Sequence, residues 1–186
     1  MLTRNSAEHL VSMLRGGETA EAIARRALSE FPSLEHLRSA LGESRLRELS
    51  SELAGWIERN ATRKPIPGHV RGLWFSVDLP LVRMQPHPET ARGEDWESLD
   101  HWADSPWEPA LLREMTADPI AGEELAVVVL AALLRDAGAR NLFSLPREAA
   151  GPLALDVRPD CAYDSITVGL VEPDGFRAAS ASQNLW

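Results

Sequence analysis

The most unusual part of the chain is a short acidic segment that is rich in tryptophan, residues 89–108, which we call the acidic segment. It carries seven acidic side chains against the single base Arg92, a formal charge of -6. Tryptophan rings bury large areas in protein interfaces, and acidic side chains attract a basic partner. The acidic segment therefore predicts a surface that binds another protein. The candidate contact residues are Glu94, Asp95, Trp96, Glu97, Asp100, Trp102, Asp104, Trp107 and Glu108.

The tryptophans of the acidic segment have two other interpretations. They are either core residues of a solvated loop or part of a lid over an active site. Replacing Trp96, Trp102 and Trp107 with alanine separates the first interpretation from a binding surface. A binding surface would lose its partner and keep its fold, whereas a core would unfold.

An enzyme is the alternative function, and the sequence favours it less. Residues 78–104 contain His87 and His101 together with several carboxylates, including Asp78. Histidine and paired carboxylates in unequal environments are the groups that general acid–base catalysis uses. A small hydrolase with these groups in a cleft is the form that such an enzyme would take.

The chain lacks the spacings that are diagnostic of metal or cofactor sites. His87-Pro88-Glu89 resembles the first half of a zinc deaminase signature, but the cysteine half is absent. There is no phosphate-binding loop, dinucleotide fingerprint or nucleophile elbow. Cys161 lies among Asp156, Asp160 and Asp164, and a small buried thiol is its expected role. We predict no metal and no cofactor.

The net charge argues against several classes of partner. The chain has 19 basic and 28 acidic residues, and nothing in it forms the basic footprint of a nucleic-acid binder. A helix-turn-helix over residues 19–41 is a third possibility, with His36 and Arg38 as the only plausible base-reading residues. We predict a protein partner, neither nucleic acid nor membrane, and we leave a homo-oligomer open.

The predicted location is the cytoplasm. Cys161 is the only cysteine, so an internal disulfide is impossible. The first residues lack the apolar run of a signal peptide. The longest apolar run, Leu125–Leu134, is about half of a bilayer span.

The spacing of apolar residues, which predicts the helices and strands that position these side chains, changes near residue 65. Before it, apolar residues at helical spacing predict four short amphipathic helices, with Thr19 and Ser33 as caps. The stretch Lys64–Gly68 is the best boundary candidate. It divides the chain into a helical part, 1–64, and an α+β part, 65–186, and one continuous globular unit is the alternative.

The α+β part begins with alternating apolar residues at 70–79, which predict a strand. Eight of the thirteen prolines lie between Pro65 and Pro119, and residues 80–119 are predicted to be irregular, with short helical turns. An apolar helix is expected at 119–138, with Asp118 as its cap. Further strands are predicted at 153–157, 166–171 and 176–182, and residues 141–145 are a candidate for one more short strand. The predicted fold is α+β: an N-terminal bundle of short helices, then a small, mostly antiparallel sheet of about four strands packed on a central apolar helix.

Overall fold

The computed structural model of the chain describes residues 4–66, 68, 70–86, 106–145, 151–159 and 165–179. The helices and strands are α1 (Arg4–Arg15), α2 (Ala20–Glu30), a 3₁₀ helix (Pro32–Leu37), α3 (Glu43–Arg63), β1 (Gly72–Asp78), β2 (Leu81–Pro86), α4 (Ala110–Met115), α5 (Pro119–Ala139), β3 (Leu153–Pro159), β4 (Ile166–Glu172) and β5 (Gly175–Ala178). The predicted α+β class is confirmed.

Helices α1 to α3 form where one-sided apolar stripes are separated by breaks in the pattern. Thr19 caps α2 as predicted, since its side-chain oxygen accepts a hydrogen bond from the Ala22 amide at 3.1 Å. Gly42 precedes α3 and contributes no side-chain cap. Nine residues of α3 are buried, so this helix packs along much of its length.

The third predicted helix, residues 33–41, differs from the prediction. It is a 3₁₀ helix of six residues that begins with Pro32 and buries Leu34 and Leu37. Ser33 is not its cap. So short a 3₁₀ helix cannot serve as a DNA-reading α-helix, and the helix-turn-helix interpretation is therefore wrong.

The five strands form one mixed sheet in the order β2-β1-β3-β4-β5. β1 and β3 run parallel at its centre, and the other three pairings are antiparallel. The sheet has one strand more than expected, because β2 lies in the segment 80–119 that was predicted to be irregular. Its pattern is short and bounded by Pro80 and Pro86, residues that usually indicate turns and strand ends.

The register between β1 and β3 separates the two faces of the sheet. Leu73 pairs with Leu155, and Phe75 pairs with Val157. Because side chains alternate along a strand, these four lie on one side, the inner face, which contacts α5. We call the opposite side the outer face.

Helix α5 is the central element, as predicted. Asp118 caps it by accepting a hydrogen bond from the Ala121 amide at 3.2 Å, and Pro119 follows in the first turn. Every residue from Leu125 to Leu134 is buried. A helix that is apolar all round is stable in water only when other elements cover it, and here α1, α2 and α3 contact it together with four strands of the sheet.

Two polar contacts attach α5 to the N-terminal helices. The Arg135 guanidinium donates hydrogen bonds to the carbonyls of Leu14 and Glu18, where α1 ends. The Ser50 hydroxyl of α3 donates to the Leu133 carbonyl at 3.0 Å, and both groups are buried. One cluster of buried apolar side chains includes residues from both sides of position 65. The division of the chain into two domains at that position stays a prediction.

The end of α5 explains why the candidate strand at 141–145 is absent. Asn141 adopts a left-handed conformation, with φ of 51°. Its amide donates to the Gly138 carbonyl, and the Leu142 amide donates to the Ala137 carbonyl, each at 2.9 Å. These two bonds form a Schellman motif, which satisfies the last carbonyls of the helix and turns the chain away.

We predict that Asp118→Ala lowers the free energy of unfolding by about 1–2 kcal/mol. The substitution removes the cap of α5 and also the hydrogen bond that the Ser33 hydroxyl donates to Asp118 Oδ2 at 2.7 Å. Urea denaturation followed by circular dichroism measures the change. Asp174→Ala, in the exposed β4–β5 turn, is the control. Equal midpoints for the two variants would contradict the prediction.

Candidate functional site

The acidic segment is attached to the sheet where it ends. Trp107 and Val82 of β2 form an antiparallel bridge: the Val82 amide donates to the Trp107 carbonyl at 2.8 Å, and the Trp107 amide donates to the Val82 carbonyl at 2.9 Å. Since β2 ends at Pro86, the chain leaves this strand at Pro86 and returns to it at Trp107. The residues between them therefore have both ends on one edge of the sheet.

The Trp107 side chain lies in the core, which agrees with its interpretation as a core residue and not with a ring exposed to a partner. Only 9% of it is exposed. It stacks on Trp56 of α3 with ring centroids 6.4 Å apart, and Trp56 in turn meets Phe75 of β1 edge to face at 6.3 Å. Trp107 thus holds the returning chain against the core.

Glu108 is exposed and accepts a hydrogen bond from the Arg113 guanidinium of α4 at 2.7 Å. The remaining seven candidate contact residues lie outside the residues that the structure describes: Glu94, Asp95, Trp96, Glu97, Asp100, Trp102 and Asp104. Their assignment to a binding surface stays a prediction.

Of the residues named for a hydrolase, Asp78 lies in the described part of the chain, and the hydrolase alternative stays a prediction. Asp78 is half-exposed at the end of β1, and its carboxylate lies 3.6 Å from the Arg83 guanidinium. Such exposed pairs are screened by solvent and contribute little free energy. His87 and His101 lie outside the described residues, as does Cys161.

The outer face of the sheet carries a buried carboxyl group that the sequence did not single out as a site. Asp156 of β3 is fully buried, and its Oδ1 accepts a hydrogen bond from the Thr167 hydroxyl of β4 at 2.6 Å. The β3–β4 register shifts between Leu155 and Asp156. Within the described residues no group donates a hydrogen bond to Asp156 Oδ2.

Burial raises the pKa of Asp156 to about 6, and the Thr167 hydrogen bond opposes that increase. A carboxyl group with a pKa near neutrality exchanges its proton in the range where many enzymes work. A carboxyl group that has no catalytic role, but is buried with a single hydrogen-bond donor, also has a pKa near neutrality. The pKa alone therefore identifies a titrating group and no reaction.

A guanidinium group is fixed beside Asp156 on the same face. The Arg158 guanidinium carbon lies 3.7 Å from the centre of the Trp74 ring, and Arg158 Nε donates to Ser76 Oγ at 3.1 Å. Both contacts restrict the movement of the guanidinium group. We call Trp74, Ser76, Asp156, Arg158 and Thr167 the outer-face cluster.

The sequence contained part of the signal for the outer-face cluster. The alternation at residues 70–79 places Trp74 and Ser76 opposite the apolar face, and the tryptophan indicates that this second face is partly covered. The burial of Asp156 was missed, because an aspartate in a strand normally indicates a position that faces water.

The described residues contain no group of three or more histidine, cysteine, aspartate and glutamate side chains that could hold a metal ion. Within the same residues no helix, α5 included, is both long enough and apolar enough to cross a membrane.

Comparisons with models of protein families, with curated proteins and with solved structures give no match in any of the three. Function is therefore inferred from the residues and contacts of this chain alone.

We predict that Trp107→Ala lowers the free energy of unfolding by about 3–5 kcal/mol, because it removes a buried ring and leaves a cavity beside Trp56. Chemical denaturation measures the loss. Glu108→Ala changes the exposed neighbouring side chain and should alter stability by no more than about 0.5 kcal/mol. Similar small effects for both variants would show that Trp107 is not a core residue.

We predict that Asp156→Asn removes a pH-dependent loss of stability. The folded protein holds this proton more tightly than the unfolded chain, whose aspartate has a pKa of 3.8. The stabilisation is therefore complete below pH 3.8 and is lost as the pH rises through about 6, a change of about 3 kcal/mol. Asparagine cannot titrate, so unfolding free energies measured against pH should lose this fall.

Asp78→Asn is the matched control for that experiment, because Asp78 is half-exposed and lies on the same sheet. The comparison separates the effect of the buried Asp156 carboxyl group from the loss of a negative charge on the sheet. A profile that is unchanged by Asp156→Asn would mean that the Asp156 proton is not linked to folding.

Proposed function

We propose that this protein acts by binding another protein, in the manner of an inhibitor or immunity-type protein that covers the basic surface of its partner in the cytoplasm. The acidic segment is the proposed contact surface, with Trp96 and Trp102 as anchors. Support comes first from charge, since residues 89–108 carry -6 of the formal net charge of -9.

The observation that carries the proposal is the way the acidic segment is mounted. Its chain leaves β2 at Pro86 and is returned to Val82 by the Trp107 bridge, and Trp107 itself is packed on Trp56. Binding residues are often located on connecting segments that a rigid scaffold holds in place. Here the scaffold consists of the bridge between Val82 and Trp107, with its two backbone hydrogen bonds, and of the buried Trp107 ring.

The mechanism would be electrostatic attraction followed by burial of aromatic rings. Acidic side chains raise the rate at which a basic partner finds the surface, and this effect weakens as salt screens the charges. Tryptophan rings buried in the contact slow dissociation. Trp107 has a different role: it holds the C-terminal end of the acidic segment against the core.

A charge-matched pair of variants tests the proposal. One variant carries Asp95→Asn, Asp100→Asn and Asp104→Asn in the acidic segment. The control carries Glu43→Gln, Glu48→Gln and Glu52→Gln on the exposed side of α3, and so changes the net charge equally. The wild-type chain is used to capture its partner from cells of its own source, and association rates of the purified partner are then measured with each variant.

We expect the partner to be basic, and we expect the acidic-segment variant to associate at least about tenfold more slowly at low salt. The control should associate at the wild-type rate. In a second comparison, Trp96→Ala with Trp102→Ala should speed dissociation and leave the thermal unfolding midpoint unchanged. Equal association rates for the two charge variants, or no basic partner at all, would reject the proposal.

A further inference from the structure

A separate cavity of about 270 Å³ opens where the C-terminal end of α5 meets the turn between β4 and β5. Ligand pockets generally begin near about 300 Å³, so this cavity suits a molecule of one or two rings. No described residue of the acidic segment or of the outer-face cluster lines it. The side chains that matter for its chemistry are Asn141, Phe143, Ser144, Leu145, Val171 and Phe176.

One wall of the cavity is an aromatic ring that two glycines hold in place. The Phe176 ring lies between Gly138 of α5 and Gly169 of β4, and a Cβ atom at those positions would lie 2.6 Å and 2.5 Å from it. Neither backbone could approach the ring so closely with a side chain. Phe176, Phe143 and Val171 are only half-buried, so they leave apolar surface facing the cavity.

The rim of the cavity favours positive charge. Helix α5 ends here, and the C-terminal end of a helix carries the negative end of its dipole. Glu172 lines the cavity, and its carboxylate is paired with the Arg177 guanidinium at 2.7 Å. The Ser144 hydroxyl, which also lines the cavity, donates a hydrogen bond to Glu58 Oε1 of α3 at 3.1 Å, so a second carboxylate lies directly behind the lining. Asn141 adds an amide oxygen, which lies close to Gly175.

We propose that this cavity binds a small organic cation that joins an aromatic ring to an ammonium group. The ring would pack against Phe143 and Phe176. The ammonium group would lie at the rim, attracted by Glu58 and by the end of α5, and would donate hydrogen bonds to oxygen atoms there. An aromatic acid of the same size would meet the same walls but would be repelled at the rim.

Tryptamine and indole-3-acetate are the probes, because they share one ring system and differ in the sign of the charge. Binding to the full chain is followed by ligand-detected NMR and by titration. Val171→Phe places a larger side chain on the cavity wall and should abolish tryptamine binding. Glu58→Gln should weaken it about threefold, as expected for an exposed charge. Glu52→Gln, on the same helix and paired with Arg45, is the matched control and should have no effect.

The expected result is that tryptamine binds the wild type and indole-3-acetate binds much more weakly. The proposal is overturned if tryptamine does not bind up to its solubility limit. Equal binding of the two probes, or equal effects of Glu58→Gln and Glu52→Gln, would also overturn it. Since Val171→Phe can disturb folding, its circular dichroism spectrum is compared with that of the wild type. If this variant does not fold, the two probes and the pair Glu58→Gln and Glu52→Gln decide the outcome.

Discussion

The whole molecule depends on the need to keep helix α5 away from water. Its residues from Leu125 to Leu134 have no polar side, so it can exist only between other elements. The N-terminal helices cover one part of its surface, and the inner face of the sheet covers another. The need to cover α5 explains why the helical part, 1–64, and the α+β part, 65–186, share one core although their apolar residues repeat with different periods. α5 has few polar side chains, so its polar attachments use the Arg135 guanidinium beyond the apolar run and the Leu133 backbone carbonyl within it.

Elements with a strong local signal were predictable from the sequence, whereas pairings between distant strands were not. The cap at Asp118 and the uninterrupted apolar run that follows it define α5 without any tertiary information. The turn at residues 173–175 defines the β4–β5 hairpin in the same way. The parallel pairing of β1 with β3 depends on contacts across a long stretch of chain, and neither strand carries a local feature that specifies its neighbour. The 3₁₀ helix after Pro32 was mistaken for an α-helix because both place Leu34 and Leu37 on one side.

The candidate sites show the same difference between local sequence signals and contacts that form only in the folded chain. Composition identified the acidic segment, but burial of Trp107 arises from its bridge to Val82, and β2 itself was hidden between two prolines. The outer-face cluster joins residues of three strands, so it exists only once the sheet is assembled. Asp156 in particular has a carboxyl group in a position that the fold buries, and no local pattern reveals that conflict. The cavity near Phe176 likewise depends on two glycines far apart in the chain.

The bridge between Val82 and Trp107 has a consequence for how this chain can change over time. Trp107 is fixed to Val82 of β2 by two backbone hydrogen bonds, which any residue type except proline can make, and Pro86 is the last residue of the same strand. The entropic cost of bringing the two ends of a chain segment together grows slowly with its length, and doubling the number of residues costs only about 0.6 kcal/mol. Insertions, deletions and substitutions between Pro86 and Trp107 are therefore tolerated by the scaffold far better than changes in α5 are. The core therefore places little restriction on which residues that stretch carries, and binding of the proposed partner is what would restrict them.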